Sequence, residues 1–417
     1  MNKNNVICTG LNRNTGCGMK VSISAIMVIL LICILFSCQW KRRNADTPSF
    51  RLATYNAALF RNEEGGLVRD LSDPANQQAR CVAEIIQIIR PGILALLEFD
   101  YDAEGKSLEL FQGNFLGNPQ HGREPVFFPY TYAVPSNTGI PTLMDLNRDT
   151  LSTGPEDAYG YGRFPGQYAF AIFSMFPLDT AGIRTFQHFL WKDMPGANIP
   201  VDPATDQNYY SPETWEILRL SSKNHVDVPV ILPHGTLHLL VAHPTPPGFD
   251  GPENRNGKRN ADEIRFFADY ITPGLRSEYI YDDQFRFGPL QKDQPFVIMG
   301  DMNADPVDGD SYNHAIRQLL MHPSLHHLAA MEQFVPSSRG SYEHSLKNPR
   351  RGNDNLGNPW HDTSVWGLRI DYILPHTGMK VVQSGVFWPE STDSLYYLVK
   401  DQVSSDHFLV WMDVAMR

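Results

Sequence analysis

Polar side chains follow an apolar run in the segment GDMNADPVDGD (300–310), which comes directly after the residues PFVIM (295–299). Asp301 and Asn303 stand two positions apart, so both side chains can reach one ion or one phosphate group. Asp, Asn, Gly and Pro are also common turn formers. The segment is therefore either a solvated turn or part of a site for a divalent cation.

The same arrangement recurs where other apolar stretches of the sequence end. One polar residue at a strand end has ordinary explanations, such as a turn or a helix cap. Asp371 is harder to explain in that way, because a carboxylate between Ile370 and Tyr372 costs desolvation free energy unless it is paired or bound to a metal. Taken together, the polar residues at strand ends follow one pattern, which raises the chance that they are functional: Asn56, Glu98, His243, Asp301, Asn303, Asp371, Asp406 and His407.

These residues need a scaffold that brings distant parts of the chain together. Alternating or continuous apolar residues predict strands at 50–59, 93–99, 168–178, 236–244, 295–301, 369–375 and 407–414. Helices are predicted at 76–90, 257–272 and 311–323. Strands that alternate with helices indicate a layered α/β domain. We expect one domain over residues 50–417, with long loops at 136–166, 188–232 and 335–367.

Seven short motifs resemble those of the endonuclease/exonuclease/phosphatase superfamily, the DNase I-like enzymes. In chain order they are TYNAALF, LALLEF, AIFSMFPL, VAHPTPP, GDMNADP, RIDYIL and SSDHFLV, and they span nearly all of residues 50–417. The superfamily includes AP endonucleases, inositol polyphosphate 5-phosphatases and neutral sphingomyelinases. The resemblance implies a four-layer α/β sandwich, in which two packed mixed β-sheets are flanked by helices and the active site lies at one edge.

The resemblance also implies a role for each polar residue at a strand end. Glu98, with Asn56 and Asp406 close by, would hold Mg²⁺ (or Mn²⁺), since these cations prefer oxygen ligands. Asp301 would orient or deprotonate the attacking water, and Asn303 would hold a phosphate oxygen. His243 and His407 would donate hydrogen bonds to the phosphate, with His407 paired to the carboxylate of Asp371.

A group of cations follows His243 and precedes the second predicted helix. Arg255, Lys258 and Arg259 lie within six residues of a chain that is otherwise acidic. The ordinary interpretation is a polar loop leading into a solvated helix, and we accept it for Lys258. Arginine can bind phosphate through two parallel hydrogen bonds. We therefore expect Arg255, Arg259 or both to bind the substrate phosphate, with help from Asn260.

One aromatic side chain is also expected at the substrate. Relatives in the superfamily keep a Tyr or Arg just before the strand that corresponds to AIFS. In this sequence Tyr168 and Arg163 both lie in that region, and Tyr168 is taken as the substrate-binding residue. The aromatic-rich segments at 159–168, 186–191 and 358–367 are either walls of a substrate pocket or surface loops packed on themselves.

The N-terminal segment carries a targeting signal. Lys20 precedes an uncharged apolar run from Val21 to Phe36, which is short for a membrane-spanning helix of about 20 residues and typical of a signal peptide. The run ends in LFSC, which resembles the lipobox of bacterial lipoproteins, with Cys38 as the lipidated residue. We expect a signal peptide over 1–38, a tether over 39–49 and a lipid anchor in the bacterial cell envelope. The alternative is an uncleaved signal anchor.

The charge of the chain bears on its substrate. The formal net charge is −11, and loss of the signal peptide would remove basic residues but no acidic one. This balance argues against broad adhesion to nucleic acid, which needs basic surface. A metal-dependent phosphodiesterase or phosphatase for a small or lipid-linked phosphoester is favoured. A nuclease, with nucleic acid only as substrate, and a non-catalytic surface binding protein are the alternatives.

Overall fold

The strands and helices of the protein are seen in a computed structural model that describes residues 48–348 and 357–416. Its strands are β1 (Phe50–Leu59), β2 (Ile93–Phe99), β3 (Tyr130–Val134), β4 (Phe170–Ser174), β5 (Arg184–Thr185), β6 (Val201–Asp202), β7 (Gln207–Asn208), β8 (His225–Leu232), β9 (Gly235–Ala242), β10 (Phe296–Asp301), β11 (Asp371–Pro375), β12 (Lys380–Val386) and β13 (Val410–Ala415). Its α-helices are α1 (Gly66–Leu71), α2 (Gln77–Ile89), α3 (Lys106–Leu110), α4 (Pro212–Ile217), α5 (Arg255–Tyr270), α6 (Arg317–Leu320), α7 (His327–Met331) and α8 (Arg339–Lys347).

Two mixed β-sheets form the centre of the fold. The first contains six strands in the order β12-β13-β1-β2-β4-β3, and the second contains five in the order β11-β10-β9-β8-β5. In the first sheet β1 and β2 run parallel, and in the second β9 and β10 do so. The other neighbouring strands in both sheets are antiparallel. β6 and β7 form a separate two-stranded ribbon.

The sheets pack face to face, and helices cover their outer sides. One apolar core joins side chains of both sheets and of α2, among them Leu52, Leu94, Val241, Met299, Val82 and Ile86. A second core lies between α5 and the outer face of the second sheet, and contains Ile264, Phe267, Ile298 and Leu374. The four-layer α/β sandwich predicted from the sequence is therefore confirmed.

The local sequence determines where helix α2 begins and ends. The side chain of Asn76 accepts a hydrogen bond from the backbone N–H of Ala79 at 3.0 Å, which caps the start of the helix. The helix ends at Arg90, whose φ of 52° is left-handed, just before Pro91. These bounds agree with the predicted helix at 76–90.

In the described ranges, no helix is long and apolar enough to cross a membrane, and the predicted signal segment and Cys38 lie outside those ranges.

Some predicted elements differ from the structure. The segment 188–232 was expected to be a loop, yet it ends in strand β8, which pairs with β9 along its whole length. β8 was missed because Asp227 and Pro229 are residue types that are rare in strands, although valines alternate with them. Asp227 is buried and accepts hydrogen bonds from Tyr270 and His238. The predicted helix at 311–323 is also wrong, because Asn313 has a φ of 50° and leaves only a 3₁₀ turn followed by α6.

Gly300 allows the end of β10 to lie close to the end of β9. Its φ is +144°, and a Cβ atom at this position would lie 2.0 Å from the carbonyl oxygen of Ala242. Any side chain here would therefore push apart the two strand ends that carry His243 and Asp301. The glycine of the GDMN motif is thus required by backbone packing.

Replacing Gly300 with Ala should destabilise the protein by more than about 2 kcal/mol, because the new methyl group has to displace backbone atoms. Thermal unfolding followed by circular dichroism measures this effect. Gly113→Ala is a matched control, since nothing lies within 4 Å of its added Cβ. Equal unfolding temperatures for the two variants would contradict this account of Gly300.

Candidate active site

Two side-chain pairs join the sheets at the edge where the predicted site residues converge. Asn56 on β1 donates a hydrogen bond through Nδ2 to Oδ2 of Asp301 on β10, at 3.1 Å. His407, which precedes β13, lies with Nδ1 2.9 Å from Oδ2 of Asp371 on β11. The predicted pairing of His407 with Asp371 is therefore present in the structure. Each pair has one member in each sheet, so the site depends on how the sheets pack.

Asp301 and Asp371 are directly opposite each other in the antiparallel pairing of β10 and β11. Both are buried, with 1% and 2% of their surface exposed. Asp301 accepts a hydrogen bond from the N–H of Asn303 at 2.9 Å, and Asp371 accepts one from the hydroxyl of Thr363 at 2.7 Å. Oδ1 of Asp371 has no hydrogen-bond partner among the described residues. Two buried carboxylates side by side require positive charge nearby.

His407 supplies part of that positive charge. Its burial opposes the charged form, but the carboxylates of Asp371 and Asp301 outweigh this effect and raise the pKa of His407 to about 10. Its Nε2 atom lies 3.7 Å from Oδ2 of Asp301. The imidazole is therefore protonated at neutral pH and is held between two carboxylates.

His243 is in the opposite charge state. Its burial, with the positive charges of Lys223 and His407, moves the pKa of His243 well below its ordinary value. Nε2 lies 3.4 Å from Oδ2 of Asp301, and Nδ1 has no partner among the described residues. The site thus contains one neutral and one charged imidazole on either side of the same carboxylate.

Asp301 can exchange a proton near neutral pH. Burial raises the pKa of its carboxyl to about 7, and the neighbouring Asp371 acts in the same direction, while His407 lowers it. A carboxylate with such a pKa can accept a proton from water more readily than an exposed one. This property fits the role of general base that the sequence predicts for Asp301.

Glu98 and Asp406 lie beside this buried group. Glu98 is the one partly buried residue of β2, between buried Leu97 and Phe99, and it has a left-handed φ of 53°. Burial raises the pKa of Glu98, whereas His407 and a hydrogen bond from Asn56 lower it and Asp406 raises it further. The three predicted metal ligands, Asn56, Glu98 and Asp406, are therefore neighbours. The ligand atoms of Asp301, Asp371 and His407 also lie within 4.8 Å of one another.

Asn303 and Tyr168 are held at the site by unusual backbone conformations. Asn303 has a φ of 50°, and its Nδ2 donates to the carbonyl of Pro244 at 3.1 Å. Tyr168 has a φ of 59°, and its N–H donates to Asp100 at 3.0 Å. Burial, followed by the charge of Glu98, raises the pKa of Tyr168 to about 12. Tyr168 is thus close enough to Glu98 to feel its charge.

The two arginines expected at the phosphate have other partners. Arg259 donates hydrogen bonds to the backbone carbonyls of Tyr159, Arg219 and Leu220, which hold its guanidinium group in place. Arg255 forms an ion pair with Glu253. These contacts use part of the five N–H donors of each guanidinium group, and binding of phosphate by Arg255 or Arg259 stays a prediction.

Asn260 connects two loops of the site through its side chain. Its Nδ2 donates to the carbonyls of Thr245 at 2.8 Å and of Met302 at 2.9 Å, and its side chain is fully buried. Thr245 follows His243 by two residues, and Met302 follows Asp301 by one. Asn260 therefore links the two loops that carry these residues, and its contact with substrate stays a prediction.

Two buried charged residues at the site, Lys223 and Glu263, escaped prediction from the sequence. Glu263 on α5 accepts hydrogen bonds from the N–H groups of Ser222 at 2.7 Å and of Thr245 at 2.6 Å. Lys223 stands just before β8, with Nζ 3.5 Å from the carbonyl oxygen of Pro244. The alternating apolar residues of HVDVPVIL (225–232) were the available signal, because a strand there places Lys223 at a strand end.

The chain belongs to the endonuclease/exonuclease/phosphatase family, since residues 53–407 match that family. The matched range includes every predicted metal and catalytic residue from Asn56 to His407. Members of this family are mostly hydrolases that act on phosphoester bonds. None of the curated proteins matches the sequence.

Several solved structures are similar to the chain. An endonuclease/exonuclease/phosphatase from Beutenbergia cavernae is 16% identical, with 88% of this chain and 72% of that chain covered and a TM-score of 0.49. Beta toxin from Staphylococcus aureus is 14% identical, with 88% and 100% covered and a TM-score of 0.41. Sphingomyelinase C from Streptomyces griseocarneus is 14% identical, with 89% and 100% covered and a TM-score of 0.39. The substrate therefore has to be argued from this chain's own residues.

The charged state of His407 should make the stability of the metal-free protein depend on pH. A folded-state pKa of about 10, above the ordinary 6.5, contributes stability that is complete below about pH 6.5 and is lost as the pH rises toward 10. In EDTA, the unfolding temperature should fall between about pH 7 and about pH 9. Asp371→Asn should flatten this slope, because it removes the nearest anion. Parallel slopes for the variant and the parent protein would contradict the assignment.

Proposed function

We propose that the protein is a divalent-metal-dependent phosphoester hydrolase that activates water for in-line attack on phosphorus. The observation that carries this proposal is the convergence of Asp301, Asp371 and His407 in one buried group, beside Asn56 and Glu98. Membership of a family of phosphoester hydrolases supports the same reaction.

The residues at this edge fit a hard divalent cation. Glu98, Asn56 and Asp406 offer carboxylate and amide oxygens, which suit Mg²⁺ or Mn²⁺. The unpartnered Oδ1 of buried Asp371 also marks a place where a cation or its bound water would satisfy an orphaned acceptor. His407 is a less suitable ligand, because a metal binds the neutral imidazole. When bound, the cation offsets negative charge on the phosphate oxygens.

The protein's own residues divide the remaining work. Asp301 accepts the proton of the attacking water as the water oxygen approaches phosphorus, and the ester bond on the opposite side breaks. His407, held charged by Asp371, donates a hydrogen bond to a phosphate oxygen as its negative charge increases. His243 stays neutral and helps to orient Asp301 and the phosphate.

We favour a small or lipid-linked phosphoester over a nucleic acid as substrate. The formal net charge is −11, and Arg255 and Arg259 are bound to protein groups. An aromatic side chain stands at the site, because the ring of Trp366 packs edge-on against His407 at 5.3 Å and is 54% exposed. An apolar wall of this kind suits a compact organic group better than a phosphate backbone.

The direct test is hydrolysis by the full-length protein in detergent. The substrates are bis-p-nitrophenyl phosphate, p-nitrophenyl phosphate, phospholipid vesicles and plasmid DNA, each with Mg²⁺, Mn²⁺ or EDTA. We expect metal-dependent release of nitrophenol that falls about 10²- to 10⁴-fold in His407→Ala. The exposed His314→Ala is a matched control that should keep full activity.

Two results would overturn the proposed mechanism. Turnover that persists in EDTA would exclude the metal, and turnover that persists in His407→Ala would exclude the role of the imidazole. Rapid cleavage of plasmid DNA, together with slow cleavage of the small esters, would favour the nuclease.

We further propose that the enzyme acts at the bacterial cell envelope, anchored by a lipid on Cys38. Support comes from the sequence alone, in the apolar run from Val21 to Phe36 and the LFSC motif that follows it. Phospholipids, nucleotides and sugar phosphates are present there, and each is a phosphoester.

Cys38→Ser should prevent lipidation and shift the protein from the membrane fraction to the soluble or precursor fraction. Membrane fractionation and intact-protein mass measure this change. Cys81→Ser is the control, because Cys81 is a buried thiol on α2. Equal membrane binding and equal mass increments for both variants would contradict the anchor at Cys38.

A further inference from the structure

Lys223 is a buried cation to which the mechanism above gives no role. Only 6% of its surface is exposed, although lysine is rarely buried. The pairing of His225 with Ala242 places the start of β8 beside the end of β9. The chain continues from β9 into His243 and Pro244, so Lys223 lies at the edge of the sheet that carries the site.

The ammonium group of Lys223 lies next to Asn303. Its hydrogen bond to the carbonyl oxygen of Pro244 is long, at 3.5 Å, and the same oxygen accepts the side-chain N–H of Asn303 at 3.1 Å. The two nitrogens are therefore neighbours around one acceptor. An ammonium group has three N–H donors, and no other hydrogen bond of the Lys223 side chain is found among the described residues. Donors remain for an anion.

Nearby carboxylates do not use these donors. Burial lowers the pKa of Lys223, and Glu263, Glu98 and Asp301 act in the opposite direction, so all three lie within electrostatic reach. Glu263 is the strongest of them, yet its two oxygens accept the N–H groups of Ser222 and Thr245. A lysine present only to neutralise Glu263 would form a close ion pair with it. The ammonium group of Lys223 instead lies near the carbonyl oxygen of Pro244, which also accepts the side-chain N–H of Asn303.

We propose that Lys223 is the cation that binds the substrate's phosphoryl group, by donating to a non-bridging oxygen beside Asn303. This inference rests on the proposed phosphoester hydrolysis. The positive charge of the Lys223 ammonium group offsets the negative charge that grows on the phosphoryl oxygens in the transition state. It takes the place that the sequence suggested for Arg255 or Arg259.

Glu263 is then a positioning residue for this contact. One of its oxygens holds the residue before Lys223, and the other holds the loop that follows His243. A single buried carboxylate on α5 therefore fixes the spacing between Lys223 and His243. The ligand recognised at this place is a tetrahedral oxyanion, with inorganic phosphate as its simplest form.

The test measures phosphate binding apart from turnover. Full-length protein in detergent, with Mg²⁺ present, is titrated with inorganic phosphate in a calorimeter, and kcat/KM is measured with bis-p-nitrophenyl phosphate. Lys223→Met removes the charge and keeps the length of the side chain, so Kd for phosphate should rise about 10- to 100-fold, as expected for a charge-assisted hydrogen bond. Lys223→Arg should restore part of the affinity. Lys258→Met, at a partly exposed lysine on α5, should match the parent protein.

The outcomes separate this inference from the proposed function. Weakened phosphate binding in Lys223→Met with unchanged affinity for Mg²⁺ supports the inference, even if the parent protein turns over none of the esters tested. Unchanged phosphate affinity in folded Lys223→Met overturns it, even if turnover is metal-dependent. If Lys223→Met does not fold, Lys223→Gln replaces it, and equal phosphate affinity in folded Lys223→Gln and the parent protein also overturns the inference.

Discussion

The pairing of two acidic residues across adjacent strands is the constraint on which the rest of the structure depends. β10 and β11 place Asp301 opposite Asp371, and both carboxylates are buried. Two such groups cannot both be ionised without nearby cations. The first sheet therefore has to deliver a positive charge, which it does through His407, and a hydrogen-bond donor, which it does through Asn56. The ionisation state of the site therefore depends on how the two sheets pack together.

Helix α5 holds the loops of the site in place. Its apolar face packs on the second sheet, while Asn260 and Glu263 reach backbone groups in the loops that follow β9 and β10 and precede β8. Loops that carry functional residues are otherwise the most mobile parts of a fold. Here three of them are tied to a rigid element, which keeps His243, Asp301 and Lys223 in a fixed arrangement.

Much of this could be read from the sequence, and the remainder has a physical explanation. Polar residues at strand ends predicted the site. The ends of β-strands are visible in the sequence where an apolar run stops, and burial of the Asp371 carboxylate costs free energy unless it has a partner. The partners of Arg259 could not be predicted, since backbone carbonyls are present everywhere and leave no trace in the sequence. Lys223 was missed because strand β8 was not predicted. The buried Asp227 of β8 accepts hydrogen bonds from His238 on the next strand and from Tyr270 on α5, and the sequence does not show these partners.

Several residues around the site have left-handed backbone conformations without being glycine, namely Ala58, Glu98, Tyr168 and Asn303. Such conformations cost of order 1–3 kcal/mol each in strained cases and persist only where their surroundings enforce them. At the site, tertiary contacts thus enforce backbone conformations that these residues would not favour on their own. Substitutions that relieve this strain would raise the heat resistance of the protein, and at Glu98, Tyr168 and Asn303 they would also remove or move a side chain of the site. Improvement of stability and retention of the site are therefore opposed here.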